Sequence, residues 1–122
     1  MSFKAMGVTV KIGDLARATG VSPRLLRYYE EQGLITPYRT GSGHRVYGRD
    51  APDHVRHIRD LLAAGLTTSV IRDLLPCVEG PGLTLQHCAA PMLATHLRGM
   101  DDRISSMQTA RSALADLLTR TE

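Results

Sequence analysis

Apolar positions along this chain follow three spacings, and each predicts a different kind of element. Between Lys11 and Gly20, Ile12, Leu15 and Ala16 recur at helical intervals before a glycine stops the run. Val21 and Ser22 then turn the chain into a second helix. Ser22 is placed to cap it, Pro23 to fill its first position and Gly33 to end it. Within it Leu26, Tyr29 and Gly33 share one face, while Arg24, Arg27, Tyr28 and Glu31 share the other. Ahead of both helices, Val8-Thr9-Val10 predicts a short strand, and residues 1–7 form a loose leader in which Met6 offers a second start.

Two-residue alternation takes over after Ile35. Gly41-Ser42-Gly43 signals a hairpin turn, because glycine tolerates the positive φ that such loops require. With Ser42 at the tip, Thr40 faces His44, Arg39 faces Arg45 and Tyr38 faces Val46. One hairpin face is then basic and the other apolar. Opposed arginines repel unless an anion lies beside them. A DNA phosphate would supply that anion; the plain alternative is two side chains splayed into water. Helical spacing returns with Asp50 or Asp53 opening a third helix, whose inward stripe is Val55, Ile58, Leu61 and Leu62 and whose end is Gly65. Arg56 and Arg59 fall on its outer side. Thr67 or Thr68 caps a short fourth helix carrying Val70, Ile71, Leu74 and Leu75, closed by Pro76. Cys77 to Pro91 is the only irregular stretch of any length, broken by Gly80, Pro81 and Gly82, and connections that long are commonly functional.

The third spacing is a strict four-three repeat. Leu93, Leu97, Met100, Ile104, Met107, Arg111, Leu114 and Leu118 follow it, and only Arg111 is polar. Such a seam needs a partner helix. The run from Met92 to Arg120, about 29 residues, reaches about 43 Å at 1.5 Å per residue. That is too long for the small N-terminal unit to cover, so the economical partner is the same helix of a second chain. Leu93 with Leu118, Leu97 with Leu114, Met100 with Arg111 and Ile104 with Met107 share one midpoint. An antiparallel dimer is thereby permitted, as it is by any even seam of this kind.

Charge sharpens this picture. Residues 1–60 hold ten Lys and Arg against six Asp and Glu, whereas residues 61–122 hold five against six. A basic N-terminal half points to a polyanion, and nucleic acid fits better than membrane because no basic helix carries large apolar anchors. The 122 residues amount to one domain, with Phe3 and four tyrosines as the aromatic content, so the core is expected to be aliphatic. No secretory signal and no apolar run of about 18 residues is visible. Two cysteines in that setting are expected to be reduced, cytosolic thiols rather than a disulfide framework.

Helix, glycine-containing turn and second helix make a helix-turn-helix, whose second member enters the DNA major groove. Five segments make the resemblance specific: Ile12-Gly13-Asp14-Leu15-Ala16, Gly20-Val21-Ser22, Leu26-Arg27-Tyr28-Tyr29-Glu30, Gly33-Leu34-Ile35 and Gly43-His44-Arg45-Val46-Tyr47. Together they resemble the mercury-resistance regulator (MerR) family, in motif over residues 8–76 and in architecture beyond. Leu25 departs from the pattern, since the family usually carries a small or polar residue there; it either packs under the wing or narrows what the helix can read. The resemblance implies a mainly α fold: a winged helix-turn-helix unit at 8–76 with a small β-hairpin wing, a linker at 77–90 holding both cysteines, and a dimerisation helix at 91–120 forming an antiparallel coiled coil. It further implies a cytoplasmic, homodimeric transcription regulator on a palindromic promoter site, which distorts the DNA in response to an effector so that RNA polymerase engages it. The contrasting class is a small coiled-coil adaptor that binds another protein and touches DNA only weakly. An enzyme built on Cys77, His87 and Cys88 is disfavoured, because no acid–base pair or cofactor loop accompanies them.

For the DNA surface the first candidates are Arg24 and Tyr28 from the recognition helix and Arg39 and Arg45 from the wing; Arg17, Arg27 and His44 are second choices. Arginine at the start of a recognition helix suits bidentate reading of guanine, while Tyr28 and the wing arginines suit phosphate. Arg27 has an equal claim to a structural pairing with Glu30 or Glu31. Dimerisation falls to Leu93, Leu97, Met100, Ile104, Met107, Leu114 and Leu118. The family's metal sensors place one ligand before the dimerisation helix and others in a loop after it, and no such later loop precedes Glu122. Cys77, Cys88 and His87, with His96 nearby, still offer donors to zinc or copper, at a spacing that is not diagnostic. Three readings stay open for the cysteines: buried idle thiols, a redox pair, or a metal site.

Overall fold

The computed structural model describes residues 9–121; the leader and Val8 lie outside the described residues. The chain divides into two units, the first running to Gln86 and the second starting at His87. That division falls inside the stretch expected to be a linker.

The first unit opens with strand β1 (Thr9–Lys11) and helix α1 (Ile12–Thr19). Gly20 stops α1 as expected: it takes a φ of 74° and its N–H donates to the Ala16 carbonyl. Helix α2 (Pro23–Glu31) begins where Ser22 accepts the Leu25 N–H at 3.1 Å on its hydroxyl. Its far end is closed twice over. Gly33, at φ 77°, donates to the Glu30 carbonyl at 3.0 Å, and Leu34 donates to the Tyr29 carbonyl at 2.9 Å. This paired closure satisfies carbonyls that the helix itself leaves open, and it drives Leu34 into the core beside Tyr29.

Strands β2 (Tyr38–Arg39) and β3 (Arg45–Gly48) pair antiparallel, with Tyr38 opposite Val46 and Arg39 opposite Arg45. The Thr40 N–H closes the turn onto the His44 carbonyl at 2.9 Å, so the expected register holds residue for residue. β1 joins the other edge of β3, making a three-stranded sheet in the order β1-β3-β2. This third strand corrects the expectation of a simple two-faced hairpin. As the central strand, β3 buries Val46, Tyr47 and Gly48 rather than every second residue.

Helix α3 (Ala51–Ala63) and helix α4 (Thr68–Leu74) complete the unit. Asp50 precedes α3 without a side-chain capping bond, whereas Thr67 accepts the Val70 N–H at 3.3 Å. Val55, Ile58 and Leu61 are buried as the stripe required, along with Ile71 and Leu74, while Leu62 is only half-buried. α1 packs against α2, α3 and β3, which centres the core on Leu15, Leu26, Tyr29 and Ile58. The pattern did not mark His57, which is buried with its Nε2 3.2 Å from the Pro81 carbonyl.

The stretch after Pro76 is more regular than its composition suggested. A 3₁₀ turn at Leu75–Cys77 leads into β4 (Val78–Glu79), which pairs antiparallel with β5 (Thr84–Leu85) across Gly80-Pro81-Gly82-Leu83. Gln86 donates its N–H back to the Cys77 carbonyl at 2.8 Å. The chain thus returns to Cys77 two residues before it reaches Cys88. Neither cysteine is a free thiol and both are disulfide-bonded, which corrects the expectation of reduced thiols.

The second unit is a 3₁₀ turn (His87–Ala89) followed by helix α5 (Ala90–Thr119), 30 residues without a break. No residue of α5 is buried. Its seam leucines stand in the open, with Leu118 at 73% exposure, while Leu93 and Met100 are half-covered. No described helix is long and apolar enough to cross a membrane.

Candidate nucleic-acid interface

Helix α2 supplies the centre of the surface. Burying Leu26 and Tyr29 turns Arg24, Leu25, Arg27 and Tyr28 outward, and all four are exposed. Leu25 therefore stands on the outer face rather than under the wing. Tyr28 leans on Tyr29 with ring centroids 6.4 Å apart at a tilt of 54°, one aromatic ring outside and one inside. Arg24 and Arg27 form no ion pair among the described residues, so the pairing of Arg27 with Glu30 or Glu31 is not formed.

Glu30 instead reaches across to the sheet. Its Oε1 accepts the Tyr47 hydroxyl at 2.9 Å, and its Oε2 lies 3.4 Å from the Arg45 guanidinium. The anion expected beside the opposed wing arginines is thus first of all a protein carboxylate. Tyr47 is fully buried, and its phenol is pushed up to about 12, chiefly by burial and then by the hydrogen bond to Glu30 and its negative charge. Arg39 donates to the Gly43 carbonyl at 3.2 Å, holding its side chain along the turn. His44 is exposed at the wing and is anchored by its backbone, whose N–H donates to the Thr40 hydroxyl at 3.1 Å. Arg17 pairs with Asp14 one turn earlier on α1, so it does not stand as an isolated positive charge.

Glu30 and Tyr47 organise this surface, and no spacing in the sequence singles them out for that role. The signal for them was present, since both lie in the segments that carry the family resemblance, but only folding brings the two segments together. The remaining candidates behave differently. Among the described residues no three His, Cys, Asp or Glu side chains gather as a metal cage, so Cys77, Cys88 and His87 do not form one here. In the disulfide state the sulfurs also offer no thiolate, the form that binds metal.

Residues 10–76, which span both helices, the wing and the α3–α4 pair, match the family described as MerR HTH family regulatory protein. The chain belongs to the MerR family. It is 34% identical over 113 residues to nodulation protein NolA of Bradyrhizobium elkanii, a match covering 92% of this chain and 48% of that protein. It is 30% identical over 109 residues to the HTH-type transcriptional regulator HmrR of Sinorhizobium medicae (strain WSM419), covering 88% and 74%. The transcription regulator PbrR691 from Ralstonia metallidurans CH34, solved in complex with lead(II), shares the fold at a TM-score of 0.74 and 24% identity, covering 88% of this chain and 84% of that one. The MerR-family chain thus spans about half the length of NolA, the first of these relatives. Membership in a family of transcription regulators leaves the coiled-coil adaptor without support.

Proposed function

We propose that this MerR-family chain is a sequence-specific DNA-binding transcription regulator, working as a homodimer on a palindromic promoter site. The observation that carries the reading is α2, which buries one face and turns outward, beside a basic wing, a leucine, a phenol and two arginines that form no ion pair among the described residues. On this reading Arg24 reads a base edge, Tyr28, Arg27, Arg39, His44 and Arg45 hold phosphate, and Arg17 adds a weaker contact. Residues 8–76 act as the DNA-binding unit, 77–90 as the connector and 91–120 as the dimerisation helix, whose open apolar seam supports pairing with a second copy. The work is binding rather than catalysis. Its setting is the cytoplasm, and its distorted promoter is presented to RNA polymerase.

The effector reading centres on Cys77 and Cys88, which flank the division between the two units. A thiol switch there changes the stiffness of the connector, and a modest bias between two arrangements of the recognition helices is enough to change promoter geometry. Metal held by Cys77, Cys88 and His87 requires the reduced thiols, so the redox reading stands ahead of it. Comparing the Cys77→Ser, Cys88→Ser double variant with the parent for thiol count, metal content and promoter response separates these. A variant that still responds to the natural inducer and holds the same metal excludes both.

DNA recognition itself is tested by titrating the protein against fragments of its own upstream region and against random duplex. A palindromic fragment is expected to bind far more tightly than random DNA at moderate salt. Equal binding of every fragment would overturn the regulator reading.

A further inference from the structure

We propose that Glu30 is a positioning residue for DNA recognition, fastening the wing to the recognition helix and fixing the Arg45 guanidinium that meets DNA; the inference rests on the DNA-binding reading above. Glu30 is an acidic group set beside the cations of this surface, and a bare carboxylate in that place repels phosphate. It is not bare. Its side chain is 17% exposed, and each oxygen has a separate partner: Tyr47 at 2.9 Å on Oε1 and Arg45 at 3.4 Å on Oε2.

Arg45 and Tyr47 lie two residues apart on β3, so they leave the strand on the same side. One carboxylate on α2 therefore holds two side chains of the wing. Tyr47 is fully buried and gives the grip a fixed end. Arg45 gives it a working end. Its side chain remains 38% exposed, and a guanidinium carries five N–H donors, so it can face Glu30 and keep others for phosphate. The register reinforces this, because Arg39 sits directly opposite Arg45 and would otherwise push it away. Glu30 thus gives up some general attraction to DNA in exchange for a guanidinium held in one place. Pre-organised contacts favour the correct site over random duplex, since less side-chain freedom is lost on binding.

A purely structural role predicts a loss of stability alone, so the test reads selectivity on folded protein. Glu30→Gln keeps an oxygen for the Tyr47 hydroxyl and removes only the charge. The parent, Glu30→Gln, Arg45→Ala and the double variant are compared for thermal midpoint and for binding to an upstream operator fragment and to random duplex over a range of salt. Glu30→Gln is expected to keep or tighten random binding while its operator preference falls about tenfold, the order expected for one charged contact. Adding Arg45→Ala to it is expected to cost little more preference, because the two act together. Unchanged preference in Glu30→Gln, or losses that simply add, would overturn the inference while leaving the regulator reading intact. A parent with no preference for any fragment would overturn the regulator reading and this inference with it. Tyr47→Phe is the second route, since it leaves the ion pair in place. Its preference is expected to fall less than that of Glu30→Gln, and an equal or larger fall would overturn the role given to the ion pair.

Discussion

The two units of this chain solve the problem of apolar surface in opposite ways. The first buries most of its leucines and isoleucines and two of its tyrosines within itself, through short elements packed around α1 and β3. The second is dominated by one 30-residue helix with no buried residue and a row of exposed apolar side chains, Leu97, Ile104, Met107, Leu114 and Leu118 among them. Apolar area is worth about 25 cal/mol per Å² when removed from water. The first unit collects that free energy alone, whereas α5 collects it only against another surface. Stability of the first unit should therefore be independent of protein concentration, and that of α5 should not.

The largest expected effect tests that contrast directly. Leu97→Ala together with Leu114→Ala removes both members of one proposed cross-chain layer, and antiparallel symmetry repeats the damage in a second. Each buried leucine lost should cost about 2–5 kcal/mol, so sedimentation at micromolar concentration is expected to show monomer. The matching change in the first unit, Ile58→Ala, should cost a similar amount but lower its thermal midpoint equally at every concentration. An unchanged dimer in the first case would place the association surface elsewhere.

Next in size is a pH effect confined to the first unit. The Tyr47 phenol is raised from its ordinary value of 10 to about 12 in the folded chain, by burial first and Glu30 second. The sign follows from proton binding. Between pH 10 and 12 the unfolded chain has released this proton while the folded chain still holds it, so stability falls as pH rises through that window. The step is worth about 2–3 kcal/mol. Tyr47→Phe is expected to flatten this part of the profile in alkaline unfolding, and a profile as steep as the parent's would show that another group carries it.

What could be read in the sequence divides along the same line. Local signals survived folding: Ser22 caps α2, Gly20 and Gly33 close their helices with positive φ, and Gly41-Ser42-Gly43 sets the wing register. Each depends on residues within a few positions of one another. The Glu30–Tyr47 bond spans 17 positions and two elements, so no spacing rule points to it. His57 was hidden differently, between Val55 and Ile58 on a helix whose apolar stripe already looked complete. The β4–β5 hairpin is built from two-residue strands, too short to show alternation. On α5 the repeat was plain, but a repeat says that a partner is needed and not which one.

Within the DNA surface the comparison becomes one of free against tethered arginines. Arg24 has no ion pair among the described residues, while Arg39 is held along its turn by the Gly43 carbonyl. Arg24→Ala should cost about 1–3 kcal/mol and relax preference at one position of each half-site. Arg39→Ala should weaken all sequences alike and lower the salt dependence of binding. Equal losses on specific and random DNA for both variants would dissolve the division between reading and holding.

The smallest effect concerns Arg17, the most weakly placed of the candidate contacts. Its side chain is 76% exposed and its guanidinium is paired with Asp14 one turn away. An exposed pair of this kind contributes well under about 1 kcal/mol to folding, so Arg17→Ala should leave the thermal midpoint nearly unchanged. The pair matters more for binding. A phosphate approaching α1 meets a nearly neutral couple rather than a cation, so Arg17→Ala should lower the salt dependence less than Arg39→Ala does. The reverse substitution is the sharper measurement. Asp14→Asn leaves Arg17 unopposed and should steepen the dependence of log affinity on log salt by about one unit or less per half-site, the increment for a single phosphate contact. No steepening in Asp14→Asn would place Arg17 off the DNA path altogether.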